Sequence, residues 1–341
     1  PDQMLARIRL HARALLSRID SLVGPGRVSL GALRTRRKGS DRKKSVTTAD
    51  LNPQARQMED ESMVRTLAAQ TDAIWPQEVE VVRRYALPEA PLILDGGCGT
   101  GEATRRVAEV FPKARVLGVD IILAHLERAR EMSAHFGDRV RYEKRTLFGL
   151  ELPDASFDLT MCRHVLHSIP HAERVIAELV RVTRPGGVVH VIPEDYGMIH
   201  FPRRRLDPMR IWPEAPIRFG AATGTDLLIG RRAPAILAAL GLERITVDYV
   251  VVDTLRVPRQ TFAAIWEAWR DGYAQAVADQ LGMSLAEAKE HWDDQIATIR
   301  DPGSYAAWLV PVVAGFVPRS RAAGDHDISP SAPGGTTRAP S

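Results

Sequence analysis

The chain predicts an α/β fold, a doubly wound parallel sheet, on three observations. Short apolar runs near residues 92, 115, 140, 157 and 188 alternate with helical patterns near 103, 124 and 172, the signature of parallel strands joined by crossover helices. The first run, Pro91-Leu92-Ile93-Leu94, leads into Asp95-Gly96-Gly97-Cys98-Gly99-Thr100-Gly101, and a helical pattern follows from Glu102. Such a glycine turn lets backbone pass close to a ligand and aims unpaired N–H groups at it. Finally, 341 residues that are 45% apolar and 26% charged suffice for one large domain with extensions.

Taken in order, helical stretches are expected at Met63 to Ala73 and Gln77 to Tyr85, before the glycine turn. The second strand, Arg115-Val116-Leu117-Gly118-Val119, ends in Asp120, followed by Ile121. A carboxylate at such a strand tip can accept both hydrogen bonds of a ribose diol. Ala124 to Ala134 reads as a helix with Leu126 and Ala129 on one face and charges opposite. Phe157 to Cys162 and Val188 to Ile192 read as strands four and five. Residues 194 to 225, rich in Pro and Arg, read as irregular. A helix from Asp226 to Leu240, a β-branched run from Ile245 to Val252, helices from Thr261 to Leu281 and Ser284 to Ile299, and a last strand from Ala307 to Val317 complete the series.

Spacing narrows the ligand. Counted from Gly97, the third position of G-x-G-x-x-G falls on Glu102, which excludes the dinucleotide pattern, and no Lys-Ser/Thr pair follows to make a P-loop. The pattern D-x-G-x-G-x-G, met by Asp95, Gly97, Gly99 and Gly101, resembles motif I of the class I methyltransferases that use S-adenosylmethionine. Asp120, the approach Leu152-Pro153-Asp154-Ala155-Ser156-Phe157-Asp158 and the turn Arg184-Pro185-Gly186-Gly187 match the family's later landmarks in order. The resemblance covers about residues 60 to 255 and is nearest to the small-molecule type that includes ubiquinone and menaquinone methyltransferases.

It implies a Rossmann-like, seven-stranded sheet whose last strand returns antiparallel to the edge, S-adenosylmethionine as cofactor and a small-molecule acceptor. Carried onto this chain, the cofactor site comprises Asp95, Gly97, Cys98, Gly99, Gly101, Asp120, Ile121, Thr146, Leu147 and Arg163. One slot departs from the family. Where many relatives carry Gly-Asp-Ala, with the Asp accepting from the adenine amine, this chain has Arg145-Thr146-Leu147. Thr146 is a shorter, uncharged acceptor, and Arg145 either meets a substrate carboxylate or is a solvated surface residue. Arg163 is a candidate partner for the cofactor's carboxylate.

In an open α/β sheet the ligand sits beyond the carboxyl ends of the strands. After strand four, Val165 to Pro170 resembles the Leu-His-His-Leu-Pro segment of many small-molecule methyltransferases, and Glu194-Asp195-Tyr196 follows strand five. Methyl transfer is an in-line displacement helped mainly by alignment and exclusion of water, and a hydroxyl acceptor also gains from a base. His164 and His167 are therefore the candidate catalytic bases or orienting groups, with Glu194 and Tyr196 as partners. The competing reading makes each a hydrogen-bonded structural residue. His171 reads as a surface residue at a helix start.

The two helices before the last strand read as a lid or wall for the acceptor. Trp266, Trp269 and Tyr273, spaced three and four apart, share one helix face, which is either core or the lining of a flat, apolar pocket for an aromatic acceptor. Enzymes that methylate amino groups of nucleic acid carry an Asp/Asn-Pro-Pro-aromatic segment after strand four; Cys162-Arg163-His164-Val165 stands here instead. Cys162 follows Met161, not a proline, which argues against cytosine C5 chemistry. RNA methylation through a basic leader, aminopropyl transfer and a non-catalytic cofactor-binding module are the alternatives.

Residues 1 to 50 hold twelve Lys or Arg against four Asp or Glu, a balance of +8, so the overall +4 leaves the remainder at −4. That leader reads as an Arg-rich presequence, an arm for nucleic acid or anionic surfaces, or, preferably, non-native sequence from a start codon placed too far upstream. The expected division is a leader at 1–57, a methyltransferase domain at 58–318 and a disordered Pro/Gly/Ser/Thr tail at 319–341. Within the domain, 90–193 is the cofactor half, and 194–225 and 258–300 face the acceptor. Two cysteines, Cys98 and Cys162, make no disulfide framework, so a cytoplasmic location is expected. No run approaches the ~20 apolar residues of a membrane span, and no metal cluster is visible. Cys98 is expected to pack as a small neutral residue.

Overall fold

A computed structural model describes residues 52–53 and 61–319. The expectations for the leader, those two residues apart, and for the tail beyond 319 lie outside the described residues. The elements run α1 (Glu61–Arg83), β1 (Leu92–Gly96), α2 (Glu102–Val110), β2 (Arg115–Asp120), α3 (Leu123–Met132), β3 (Val140–Lys144), β4 (Phe157–Arg163), α4 (Ala172–Val182) and β5 (Thr183–Ile192). They continue with β6 (Ile199–His200), α5 (Glu214–Thr223), α6 (Ala233–Ala239), β7 (Glu243–Asp253), α7 (Arg259–Leu281), α8 (Leu285–Arg300) and β8 (Ala307–Phe316). Strands β3, β2, β1, β4 and β5 lie side by side, all parallel, and β8 runs antiparallel to β5.

The doubly wound, Rossmann-like sheet with an antiparallel last strand is therefore present, with a two-residue β6 raising the strand count to eight. β8 lies inside the sheet rather than at its edge. β7 pairs along it from Glu243↔Phe316 to Asp253↔Ala307, while β5 takes Val313 to Phe316 and β6 takes Ala307 and Trp308. Every residue of β8 except Leu309 and Phe316 is buried, as a strand covered on both faces requires.

Three elements differ from the sequence reading. The two expected N-terminal helices are one, α1, running through Pro76. A proline inside a helix removes one hydrogen bond and crowds the preceding turn, but burial of Ile74, Trp75, Val79 and Val82 against the rest of the fold holds both halves in line. The segment 194–225, expected to be irregular, contains β6 and α5. The helix expected from Asp226 begins only at Ala233, with Pro234 in its first turn. Before it, the Asp226 side chain accepts from Leu228 N at 3.1 Å and Gly230 N donates to the Glu194 carbonyl at 2.7 Å, which commits that backbone to turns.

The pair α7 and α8 packs as a hairpin. Gly282 ends α7 at φ 65°, and Ser284 and Glu287 form a reciprocal capping box that starts α8. α7 also lies against α1 and α5. α1 in turn borders β7, where the Gln77 amide donates to Val251 O at 3.0 Å and accepts from Val251 N at 3.1 Å. Among the described residues no helix is long and apolar enough to cross a membrane.

A buried charge cluster ties α1 to the sheet. Glu78 on α1 is fully buried and receives Arg163 from β4 through Nε at 2.8 Å and Nη2 at 2.7 Å. His190 on β5 places Nε2 3.1 Å from Glu78 and Nδ1 2.9 Å from the Tyr85 hydroxyl. Burial alone would push the Glu78 carboxyl up, but the Arg163 charge and the His190 contact outweigh it and hold it at about 2. Removing one partner leaves the other charge buried and unpaired. Glu78→Ala should therefore lower the unfolding free energy by about 3–5 kcal/mol in urea titrations; a loss below about 1 kcal/mol would mean that the cluster does not hold α1 in place.

Candidate active site

The parallel register Asp95↔Gly118 and Gly96↔Val119 sets the tips of β1 and β2 side by side. From there the glycine turn folds back over β2, with Gly97 N and Cys98 N both donating to Val119 O at 2.8 and 3.0 Å. Gly97 has φ 74°, and a Cβ there would stand 2.4 Å from Val165 Cγ2, so neither the conformation nor the space admits a side chain. Gly101, at φ 76°, is the N-cap of α2. Asp120 is oriented by backbone from both sides: Gly99 N donates to Oδ2 and Ile122 N to Oδ1, each at 2.9 Å.

A cleft of about 720 Å³ opens at these strand ends. Of the expected cofactor residues, Gly97, Gly99, Asp120, Ile121, Thr146, Leu147 and Arg163 line it. Asp95, Cys98 and Gly101 do not line it. Asp95 instead accepts from the Thr104 hydroxyl at 2.6 Å, bolting β1 to α2, and burial raises its carboxyl above the usual range. Cys98 and Cys162 are both buried, and burial pushes each thiol well up, which disfavours the thiolate that a nucleophile needs.

The departure from the family pattern has a structural role. Arg145 pairs with Glu143 at 2.7 Å and donates to Leu150 O at 2.6 Å, so it braces the loop while also lining the cleft. The Thr146 hydroxyl accepts from Phe148 N at 3.3 Å and closes a small turn.

The four expected catalytic residues form two contacting pairs. His164, one residue past β4, touches Glu194 Oε1 through Nδ1, and Glu194 lies two residues past β5 with no exposed surface. Their strands are neighbours, with Arg163↔Ile192 in register, and His164 N donates to Ile192 O at 2.9 Å. Both residues are left-handed, at φ 56° and 67°. Non-glycine residues held there cost about 1–3 kcal/mol each and gather at functional sites. His164 Nε2 and Glu194 Oε2 are buried with no hydrogen-bond partner among the described residues. His167, in the short turn Leu166–Ser168, sets Nε2 3.4 Å from the Tyr196 hydroxyl. His171 lies on the surface at the start of α4, as expected.

Tyr196 also walls a second cavity of about 530 Å³, where its ring meets Trp269 edge-on at 5.5 Å and Trp212 at 5.8 Å. Trp269 and Tyr273 of the expected aromatic face line this cavity; Trp266 does not, being fully buried with Nε1 bonded to Gln295 at 2.9 Å. Asp195, between Glu194 and Tyr196, is structural: Arg231 clasps it with two bonds of 2.7 Å.

Sequence reasoning missed Glu78 and His125. Glu78 shares a helix face with Ile74, Trp75, Val81 and Val82, and an acid on that apolar face was its only local signal. His125 lines the cleft from α3 and carried no motif.

Comparison with known proteins agrees with this geometry. A family described as a methyltransferase domain matches residues 93–187. Trans-aconitate 2-methyltransferase of Azoarcus sp. (strain BH72) is 32% identical over 246 residues, 71% of this chain and 85% of that protein. The 27-O-demethylrifamycin SV methyltransferase of Amycolatopsis mediterranei is 40% identical over 28% of this chain and 35% of its own length. The chain spans less than two thirds of several other curated relatives, such as 62% of the Deinococcus radiodurans trans-aconitate 2-methyltransferase, to which it is 34% identical over 47% of its length. Among solved structures, Haemonchus contortus phosphoethanolamine N-methyltransferase 2 shares the fold, with a TM-score of 0.50 at 20% identity over 77% of this chain and 59% of that one. With the glycine turn, the acidic tip of β2 and a relative matched over most of its length, the chain belongs to the class I S-adenosylmethionine-dependent methyltransferases.

Proposed function

We propose that this chain methylates a hydroxyl of a small, ring-bearing, largely apolar molecule, with His164 as general base. The observation that carries this reading is the His164–Glu194 pair at the cleft, whose outer nitrogen, Nε2, has no protein partner among the described residues. The cleft residues fit the cofactor. Gly97, whose Cβ position is taken up by Val165, puts bare backbone at the cleft, Asp120 presents a fixed carboxylate for a ribose diol, and Arg163 borders the cleft with Nε and Nη2 held on Glu78. When bound, S-adenosylmethionine supplies a methyl group on a positively charged sulfur, which departs as a neutral thioether.

The chain's own residues align the acceptor and take its proton. In the tautomer that donates from Nδ1 to Glu194, His164 has Nε2 as acceptor, so the hydroxyl proton passes to Nε2 as the oxygen–carbon bond forms and the carbon–sulfur bond breaks. Glu194 fixes the ring and offsets the imidazolium charge. His167 is unsuited to this task. Burial, and then the charge of His164, lowers it from 6.5 to about 3, so it stays neutral and accepts from Tyr196. The Tyr196 phenol is pushed well up by burial and by Glu194, so it remains a donor.

The aromatic cavity supports an apolar ring acceptor. All its lining residues except Leu227 come from 194–225 and 258–300, the segments read as acceptor-facing, and none is cationic. Relatives named for trans-aconitate bear the name of an acid, and an acid anion needs cationic partners; this cavity offers none, and Arg145 and Arg163 of the cleft are already paired with Glu143 and Glu78.

Incubation of the purified chain with S-adenosylmethionine and a metabolite pool, followed by mass spectrometry, should yield S-adenosylhomocysteine together with an O-methylated ring compound. Cofactor binding without any methylated product would contradict catalysis and favour a binding module; methylation of polyanionic acids alone would contradict the acceptor class. His164→Ala should lower kcat by about 10²–10⁴ while cofactor affinity stays within about twofold. An unchanged kcat would remove His164 as base.

Stability should report His167. Because its folded pKa of about 3 lies below 6.5, the unfolded chain binds more protons between those pH values, and stability falls as pH drops through that window. His167→Gln should show a shallower fall in urea midpoint from pH 6.5 to 3 than the natural chain; parallel curves would contradict the assignment.

A further inference from the structure

His125 is the third residue of α3 and only 3% exposed, yet both of its ring nitrogens are buried without a hydrogen-bond partner among the described residues. Buried imidazoles are normally paired, and a native exception calls for a missing partner. The position says what kind. His125 lines the same cleft as Asp120 and Ile121, five residues after the carboxylate that suits the ribose, while Thr146 and Leu147 line that cleft from the β3 side. The base of a nucleoside whose ribose rests on Asp120 extends into this region.

Thr146 holds the slot where many relatives place an aspartate for the adenine amine, and its hydroxyl is already engaged by Phe148 N. The turn therefore offers one lone pair of a neutral hydroxyl. A neutral imidazole carries one acceptor and one donor nitrogen, and its acceptor matches the exocyclic amine of adenine.

We propose that His125 recognises the adenine base of the cofactor, its acceptor nitrogen taking a hydrogen bond from the exocyclic amine in place of the absent aspartate. This rests on reading the cleft as the S-adenosyl site. The test is calorimetric binding of S-adenosylhomocysteine and of its inosine counterpart, in which the amine is replaced by an oxo group, to the full chain.

The natural chain should prefer the adenosine compound. His125→Ala should weaken that compound roughly five- to tenfold and erase the preference, whereas His125→Gln, which keeps an acceptor, should restore part of it. An undiminished preference in a folded His125→Ala chain would overturn the proposal, as would equal binding of the two compounds by the natural chain. Binding of neither compound to the natural chain would overturn the S-adenosyl reading itself, and this inference with it.

Discussion

The buried carboxylate of Glu78 is the contact on which the site depends. It joins one helix to two strands, through Arg163 at the end of β4 and His190 near the end of β5. The next residue after Arg163 is His164, and Glu194 follows His190 by four positions. The two residues of the proposed base pair thus leave strands whose ends are tied to the same anion. A charge buried this deeply is tolerated only when paired and hydrogen-bonded, and here the pairing also fixes where α1 crosses the sheet.

The strand tips beyond that anchor divide the labour by chemistry. β1 and β2 provide bare backbone and one carboxylate, which suits a ribose-bearing ligand. Just past β4 and β5 stand two residues in left-handed conformations, His164 and Glu194, in contact with each other. The α7–α8 hairpin and α5 add an apolar, aromatic cavity behind Tyr196. Polar groups thus gather at the strand ends and rings lie farther out, the arrangement from which the proposed reacting centre and acceptor surface are read.

Much of this was legible because it is local. The glycine spacing, the acid ending β2 and the apolar runs of the parallel strands each lie within a few residues, and the fold follows them. His164, His167, Glu194 and Tyr196 were readable as candidates from their places after strands four and five, and their pairwise contacts follow from β4 and β5 being neighbours. What escaped is non-local. Glu78 meets partners 85 and 112 positions away, so the identity of those partners has no nearby signature. Pro76 reads as a break, yet tertiary packing carries α1 through it. The Asp226–Leu240 stretch has helical composition, but contacts to Glu194 and within its own turn shorten the helix to Ala233–Ala239.

On the proposed reading, one cleft holds the cofactor with its sulfur on the side of the His164–Glu194 pair. The most direct measurement is a structure of the chain with S-adenosylhomocysteine bound. The ribose hydroxyls should lie on Asp120 and the sulfur should face His164, with open space leading from it past Tyr196 toward Trp269. A ligand bound elsewhere, or a sulfur walled off from His164 by the fold, would contradict it.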